Sequence, residues 1–563
     1  MIHRSPRAIV AVISAAGLVA SIGQTLFLPV LPELPRLLGV PRDAGSLLVT
    51  ITMVAGAVSI PTVARLADMY GKRRMIIVTL AVVAAGGVLG ALADSFALVL
   101  LSRAMQGVGL ALIPVGTSIF RDLLPRERLS VAVAFMSAVL GIGSAVSLPL
   151  SGMLFAAFGW HSLFWVPALF SVCLLVGVVL IVPESSVQTG GRFDVVGALL
   201  LSVMLGALML GITKTGEWGW TGSATLACAG IVLVLTALWV PWELRHRAPV
   251  LDLRSSLQRN VLLTNVMSFL VGFAFYVNFI TATEQLQMPT STGYGFGASP
   301  LTAGLLMLPA SIMMIVSSPI SAVITRRLGV RSTLMIGACA LACGYLFRAL
   351  PVLAFWQITL GTMIVSVGIG LTYSALPIMV MRSVPVTETA AANGLNMVVR
   401  LVGTSVASAS VAAILTALTA SLDGTIHPSS QAFTAAHLLA AAAALGAAAI
   451  ALALPGRGAG SVTEARSPAL AAERLVQGRV VDEHGGPVPH ATVRVRTADD
   501  ENVDWAVCDE AGTFTVAVPS DRSFEIVAQD GDGSARVGTV TLHPSQPADC
   551  LVVVIESGSG LSR

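Results

Sequence analysis

Two short stretches hold most of the chemistry available to this chain. Between two apolar runs, Arg65 to Arg74 reads RLADMYGKRR, one acid (Asp68) among four bases, in a chain of which 11% is charged. Farther on, RAMQGVG places Arg103, Gln106, Gly107 and Gly109 inside an apolar run. Neither arrangement is a nucleophile–base pair or a set of metal ligands. An acid at the C-terminal end of an apolar helix opposes the helix dipole, so Asp68 calls for a cation or for the N-terminus of another helix. Gly71 permits a tight turn, and the bases hold the loop on one side of a bilayer. A guanidinium roughly 10 Å inside a span costs about 2.5–3.5 kcal/mol, and charges at that depth default to function. Gln106 shares the face of Arg103 one turn on. These residue types suit ion pairing and gating rather than bond making.

The elements that must position them are membrane helices. The 563 residues are 55% hydrophobic with a mean hydropathy of +0.84. A soluble chain carries about 25% charged residues. Fourteen apolar runs lie between about residue 8 and residue 454. Each is near the roughly 20 residues that span a bilayer, and in lipid only helices satisfy their backbone within one segment. With the N-terminus in the cytoplasm, eighteen loop and flanking cations fall inside, against Arg36, Arg42, Lys214 and Arg348 outside. The first run continues to about Leu31, too long for a signal core, so it reads as an uncleaved span. The expectation is a multi-pass protein of the cell membrane with both termini cytoplasmic.

Charge divides the chain. Met1–Pro455 carries 24 bases and 14 acids, whereas from Gly456 onward nine bases face sixteen acids. The only soluble part is acidic, so no nucleic-acid partner is expected. No GxxxxGK[ST] stretch occurs, which argues against ATP and leaves an ion gradient to drive any work. The six cysteines contain no CxxC and read as small hydrophobes, so neither metal nor cofactor is expected. PTVARLADMYGKRR and PISAVITRRLGVRS match at Pro61 and Pro319, Gly71 and Gly329, and Arg73 and Arg331. Such internal repeats mark secondary transporters, with the substrate site between the repeats near the midplane.

ARLADMYGKRRM resembles the signature loop between spans 2 and 3 of the major facilitator superfamily. Leu66, Ala67, Asp68, Gly71, Lys72 and Arg73 fit, with Ala64 where the pattern opens on Gly. RAMQGVG is similar to the span 4 signature. The resemblance covers about Ala8 to Leu454 and implies an all-α fold of fourteen transmembrane helices. It implies that Asp68, Gly71, Lys72, Arg73 and Arg331 serve a conformational clasp between the halves, and that Arg103 handles protons or gates. Of the span 5 antiporter pattern, Pro149 and Gly152 survive, and a kink is expected at Pro149. Fourteen-span drug:proton antiporters usually carry an acid in span 1. Here the stretch reads IGQTLFLPVLPELP, in which Thr25, Leu31 and Pro32 fit and Gly23 replaces the acid. Glu284 and Glu33 are the remaining proton-handling candidates, Glu284 reading equally as an exposed rim residue. GRFDVVGALL and GEWGW resemble the flanks of an extra central helix pair, and STGYGFGASPLTAGLLMLP the span 9–10 junction of the drug-exporter branch.

The expected organisation is therefore residues 1–190, an N-terminal six-helix half; 191–259, the extra pair; and 260–455, the second half. A linker at 456–473 leads to a domain at 474–558. In that domain Val476, Gly478 and Val480 alternate, as do Ala491, Val493 and Val495, and Phe514, Val516 and Val518. It resembles a carboxypeptidase regulatory-like β-sandwich, which has no catalysis of its own, so no enzyme is expected. His484, His490 and His543 read as surface residues. Substrate-cavity candidates are Gln24, Thr25, Gln106, Tyr276, Asn278, Tyr373 and Arg400. The function implied is proton-coupled efflux of small amphipathic compounds by alternating access. A facilitated uniporter or uptake carrier, and a sensor acting through the β domain, are the alternatives.

Overall fold

The computed structural model describes residues 6–555 except 28–29, 31–36, 38, 41–43, 125, 186–192, 247–248, 252, 352–353, 386–387, 423–424, 456–472, 489–490, 498–501, 510, 520–523, 530–536 and 543–548. The apolar runs become fourteen long helical segments: α1 (Pro6–Thr25), α2 (Ala44–Tyr70), α3 (Lys72–Ala91), α4 (Phe96–Leu123), α5 (Arg126–Phe158), α6 (Ser162–Ile181), α7 (Val195–Trp218), α8 (Ser223–Arg245), α9 (Arg259–Gln287), α10 (Pro300–Leu328), α11 (Val330–Arg348), α12 (Phe355–Ser383), α13 (Thr389–Ala417) and α14 (Ser430–Ala453). Among the described residues, thirteen are long and apolar enough to cross a bilayer, and α5, at 33 residues, contains the shorter apolar stretch Arg128–Gly143. A 3₁₀ turn at Val108–Ala111 interrupts α4. A two-stranded hairpin, β1 (Thr419–Leu422) and β2 (Thr425–Pro428), precedes α14.

The repeat is visible in the packing. The halves meet along two seams, α2 against α13 and α5 against α10, which exchange under the correspondence of spans 2 with 10 and 5 with 13. One apolar core lies mainly in each half. Gly71 between α2 and α3 has φ +113°, and Gly329 between α10 and α11 has φ +92°. Each amide closes the preceding helix, Gly71 on Ala67 and Gly329 on Thr325, and each carbonyl starts the next. A side chain is strained at these φ values, so the repeated glycine follows from the repeated turn. Of the extra pair, α7 lies against both α2 and α13, covering their seam, while α8 packs mainly on α7.

The acidic C-terminal unit folds as two sheets. β6 (Thr513–Pro519), β3 (Glu473–Asp482) and β9 (Asp549–Ile555) form one, in that order, with β3 and β9 parallel. β5 (Asn502–Val507), β4 (Thr492–Thr497), β7 (Phe524–Gln529) and β8 (Val537–Leu542) form the other. Val476, Val480, Val493, Val495, Phe514 and Val516 fill the core between the sheets, as their alternation requires. Two acids build turns: Asp482 accepts from the amides of His484 and Gly486, and Asp509 from those of Ala511 and Thr513.

Candidate functional site

Asp68 ends α2 at the seam between halves, where the dipole of its own helix disfavours it. It is relieved by the opposite half. Its Oδ2 accepts from the Ala391 amide at 2.9 Å and its Oδ1 from the Ala390 amide at 3.3 Å. These are first-turn amides of α13, where orphan N–H groups and the helix dipole favour an anion. Beside this contact Arg121 donates to Thr389 Oγ1 at 2.8 Å and to the Val384 carbonyl at 3.3 Å, again across the halves. One end of the α2–α13 seam is thus closed by charge-assisted hydrogen bonds.

Lys72 and Arg73 act within the N-terminal half. Lys72 is fully buried, 3.6 Å from Asp68 and 2.5 Å from Asp122. Asp122 also accepts from Ser185 Oγ at 2.5 Å. Glu184 caps α3, accepting from the amides of Arg73 at 2.9 Å and Arg74 at 3.2 Å. Arg331, half-buried, opens α11 as Arg73 opens α3. The register that pairs Pro61 with Pro319 places Arg326 opposite Asp68, so the repeat does not duplicate the carboxylate.

Arg103 is 1% exposed. It does not reach back to the interface; it points into the bundle. Nη1 donates to the Gly23 carbonyl at 2.8 Å and to Gln106 Oε1 at 2.7 Å, Nε to the Leu48 carbonyl at 3.4 Å. The guanidinium lies 4.3 Å from the centre of the Phe27 ring. The close approach of α4 to α2 depends on Gly107, where a Cβ would fall 2.4 Å from the Thr52 carbonyl.

The second arginine named from the sequence, Arg400, stacks on Tyr373, its guanidinium carbon 4.4 Å from the ring centre. Phe275 lies against the same tyrosine, and Tyr276, next along α9, is half-buried. Ser137 of α5 donates to the Tyr373 carbonyl at 3.1 Å, so this group touches the other half. Asn278 does not join it. It accepts from Arg348 at 2.8 Å.

Arg348 and Lys214 were expected in outer loops. Both instead end up inside helices, α11 and α7, and are buried. Hydropathy alone cannot tell a helix-end cation that turns inward from one in a loop, and the inward partner, Asn278, is 70 residues away. Glu284 is exposed on α9, as its rim reading has it. Glu33 lies outside the described residues, as do the side chains of Gln24, Thr25 and Pro149, and the surroundings of Gly152. α5 continues as helix through Pro149 and Gly152. Asp122, Glu184, Arg121 and Phe27 escaped sequence reading because each acts on a residue far along the chain.

The sequence profile of the Major Facilitator Superfamily matches residues 13–408, and that of the carboxypeptidase regulatory-like domain residues 475–555. The chain is 28% identical over 404 residues to the multidrug resistance protein Stp of Mycobacterium tuberculosis, covering 71% of this chain and 73% of that one. It is 27% identical over 431 residues to the tetracenomycin C resistance and export protein of Streptomyces glaucescens, covering 73% and 77%. The solved structure of the human organic anion transporter MFSD10 (TETRAN) superposes with a TM-score of 0.57 at 18% identity, covering 79% of this chain and 100% of that one. At that identity it speaks for the fold alone.

Proposed function

This chain belongs to the Major Facilitator Superfamily of membrane transporters, and on that premise we propose that it exports small amphipathic compounds by alternating access, driven by protons. The observation that carries the reading is the Asp68 carboxylate on the first turn of α13. Hydrogen bonds to a charged group contribute about 1.5–3 kcal/mol each. A contact of that size between halves favours one closed state yet yields to a substrate that prefers the other. The basic loop at Arg65–Arg74 supports a cytoplasmic side for this end and for both termini. Relatives named for multidrug resistance and antibiotic export support the substrate class. The Arg400–Tyr373 stack beside Phe275 suits planar, polarizable compounds.

A second reading, facilitated uniport, is favoured by one contact. Arg103 faces the Gly23 carbonyl, which does not titrate, in place of an acid. Proton movement in everted vesicles separates the two. Lipophilic cations and neutral antibiotics are added to vesicles holding the wild type or Arg103→Ala. Substrate-induced proton release that Arg103→Ala abolishes supports antiport. Substrate flux without proton movement favours uniport. Flux that survives deletion of residues 461–563 removes the sensor reading.

A further inference from the structure

A groove in the C-terminal half has apolar walls and a basic mouth. It lies between α9 and α13 and holds about 440 Å³, within the range of sites that take small-molecule ligands. Leu262, Asn265, Val266 and Phe269 recur at intervals of three and four along α9 and form one wall. Leu395 and Val399, one turn apart on α13, form the other. A single helical turn, Leu253–Ser256, closes one end, where Leu253 and Leu257 line the space. Asn265 does not make the wall polar: it is buried, and its Oδ1 accepts from Asn396 Nδ2 at 2.9 Å. Leu257, Leu262 and Val266 are exposed.

Arg259 opens α9 two turns before Val266, on the same face of the helix. It is exposed, and its guanidinium makes no ion pair or hydrogen bond among the described residues. Arg254, in the closing turn, is exposed as well. Gln258 precedes α9 without a side-chain capping bond, so the positive dipole end of a 29-residue helix lies at the level of Arg259. Glu388, the acid that meets the closing turn, is half-buried and accepts from Ser255 Oγ at 2.9 Å.

Length decides what fits. From Leu262 to Phe269 is about 10 Å along the helix, against a hydrocarbon core of about 30 Å. The groove therefore stays within one leaflet. A partner helix would need a face that runs the full thickness, whereas an acyl chain enters at the headgroup level and ends inside the leaflet. The arginines at the mouth suit a phosphate, and they repel the ammonium that a zwitterionic headgroup brings with it.

We propose that this groove holds one anionic phospholipid, its headgroup on Arg259 and Arg254 and an acyl chain between α9 and α13. The choice of leaflet rests on the sidedness proposed above; the lipid does not depend on what the protein exports.

Mass spectrometry of the intact full-length protein, released from detergent micelles, counts the lipids it retains. Phosphatidylglycerol and phosphatidylcholine with the same acyl chains are titrated in turn. The wild type should retain one phosphatidylglycerol at a concentration about tenfold below that needed for phosphatidylcholine. Arg259→Gln should raise the phosphatidylglycerol midpoint about fivefold, and adding Arg254→Gln should bring the two lipids together. Val266→Trp, which fills the groove, should weaken both. Equal retention of the two lipids by the wild type overturns the proposal, as does a preference unchanged by the two arginine substitutions. Phosphatidylglycerol retention undiminished by Val266→Trp places the lipid elsewhere and overturns it too. Excess inorganic phosphate should leave the lipid in place; displacement would make this a site for free phosphate and overturn the lipid. Should Val266→Trp fail to fold, the arginine variants, both at exposed positions, decide. Transport enters none of these readings, so their failure leaves the export reading standing.

Discussion

Arg103 of α4 is held by the main-chain carbonyl of Gly23 in α1, at 2.8 Å. The cation of one span is fixed by the backbone of another. A carbonyl accepts at every pH, so the bond does not respond to protons. A Cβ placed on Gly23 would meet nothing within 4 Å. Gly23→Asp is therefore expected to fold and insert like the wild type, and to put a titratable group beside the guanidinium. Its export should depend more steeply on the imposed proton gradient. Equal gradient dependence in vesicles holding the two proteins would rule this out.

Gly107 answers oppositely. A Cβ there would come 2.4 Å from the Thr52 carbonyl and 3.0 Å from Ala55 Cβ, so α2 and α4 must separate. Gly107→Ala should cost about 1–3 kcal/mol, as overpacking does. Fluorescence-detected gel filtration after heating should show an earlier loss of monodisperse protein than for Gly23→Ala.

Asp68→Asn keeps the shape of the clasp and removes its charge. Lys72 stays paired with Asp122, so folding should survive. Weaker bonds to Ala390 and Ala391 should populate the open end more often. Export should fall about tenfold, the equivalent of 1.4 kcal/mol. A cysteine placed at the buried Ala392 should be alkylated faster in the Asp68→Asn background. An unchanged rate would mean that the contact does not set the closed state.

The two repeated turns should differ in tolerance. Gly71→Ala meets both a φ of +113° and the Glu184 carboxylate, 2.8–2.9 Å from the new Cβ. It must strain the backbone and push away the cap of α3. Alanine at Gly329, with φ +92°, meets the backbone strain, about 1–2 kcal/mol. Gly71→Ala should show the larger fall in Tm.

In the β domain, burial and the neighbouring Asp509 carboxylate push the Cys508 thiol up to about 12. It is protonated at neutral pH, and alkylation there should be slow until the domain unfolds. The side chain and amide of Thr513 hold Asp509 below the usual carboxylate range. Stabilisation from a depressed acid is present above its unfolded pKa of about 3.9 and is lost as pH falls through the folded value. Thr513→Val removes one of these bonds, so acid unfolding of the domain, followed by loss of Cys508 protection, should begin at higher pH.

The helices were legible because lipid allows few alternatives: a run of about twenty apolar residues has to be a helix. The Asp68 contact was half legible. Asp68 at a helix C-terminus announces that it needs a partner, but nothing near it in the chain names Ala391, 323 residues on. The β domain was legible through its alternation, and Val476 and Phe514 do face its core. Arg348 was misplaced for a physical reason. A cation at the end of an apolar run usually turns to water, and only the fold reveals that α9 offers it Asn278 instead. The extra pair announced itself by its flanks, but only the fold shows that α7 spends one side on protein, against α2 and α13.

Asp68 stands between two claimants at once, the amides of α13 and the ammonium of Lys72. When the halves part, the carboxylate need not emerge naked into low dielectric; Lys72, from its own half, is already within 3.6 Å. On the proposed alternating-access reading, opening would hand one anion from a moving partner to a stationary one. The lysine in turn leans on Asp122, so the relay has a counterweight as well as a receiver. In a protein that alternates between states as proposed, such an arrangement would lower the barrier between them without erasing their difference.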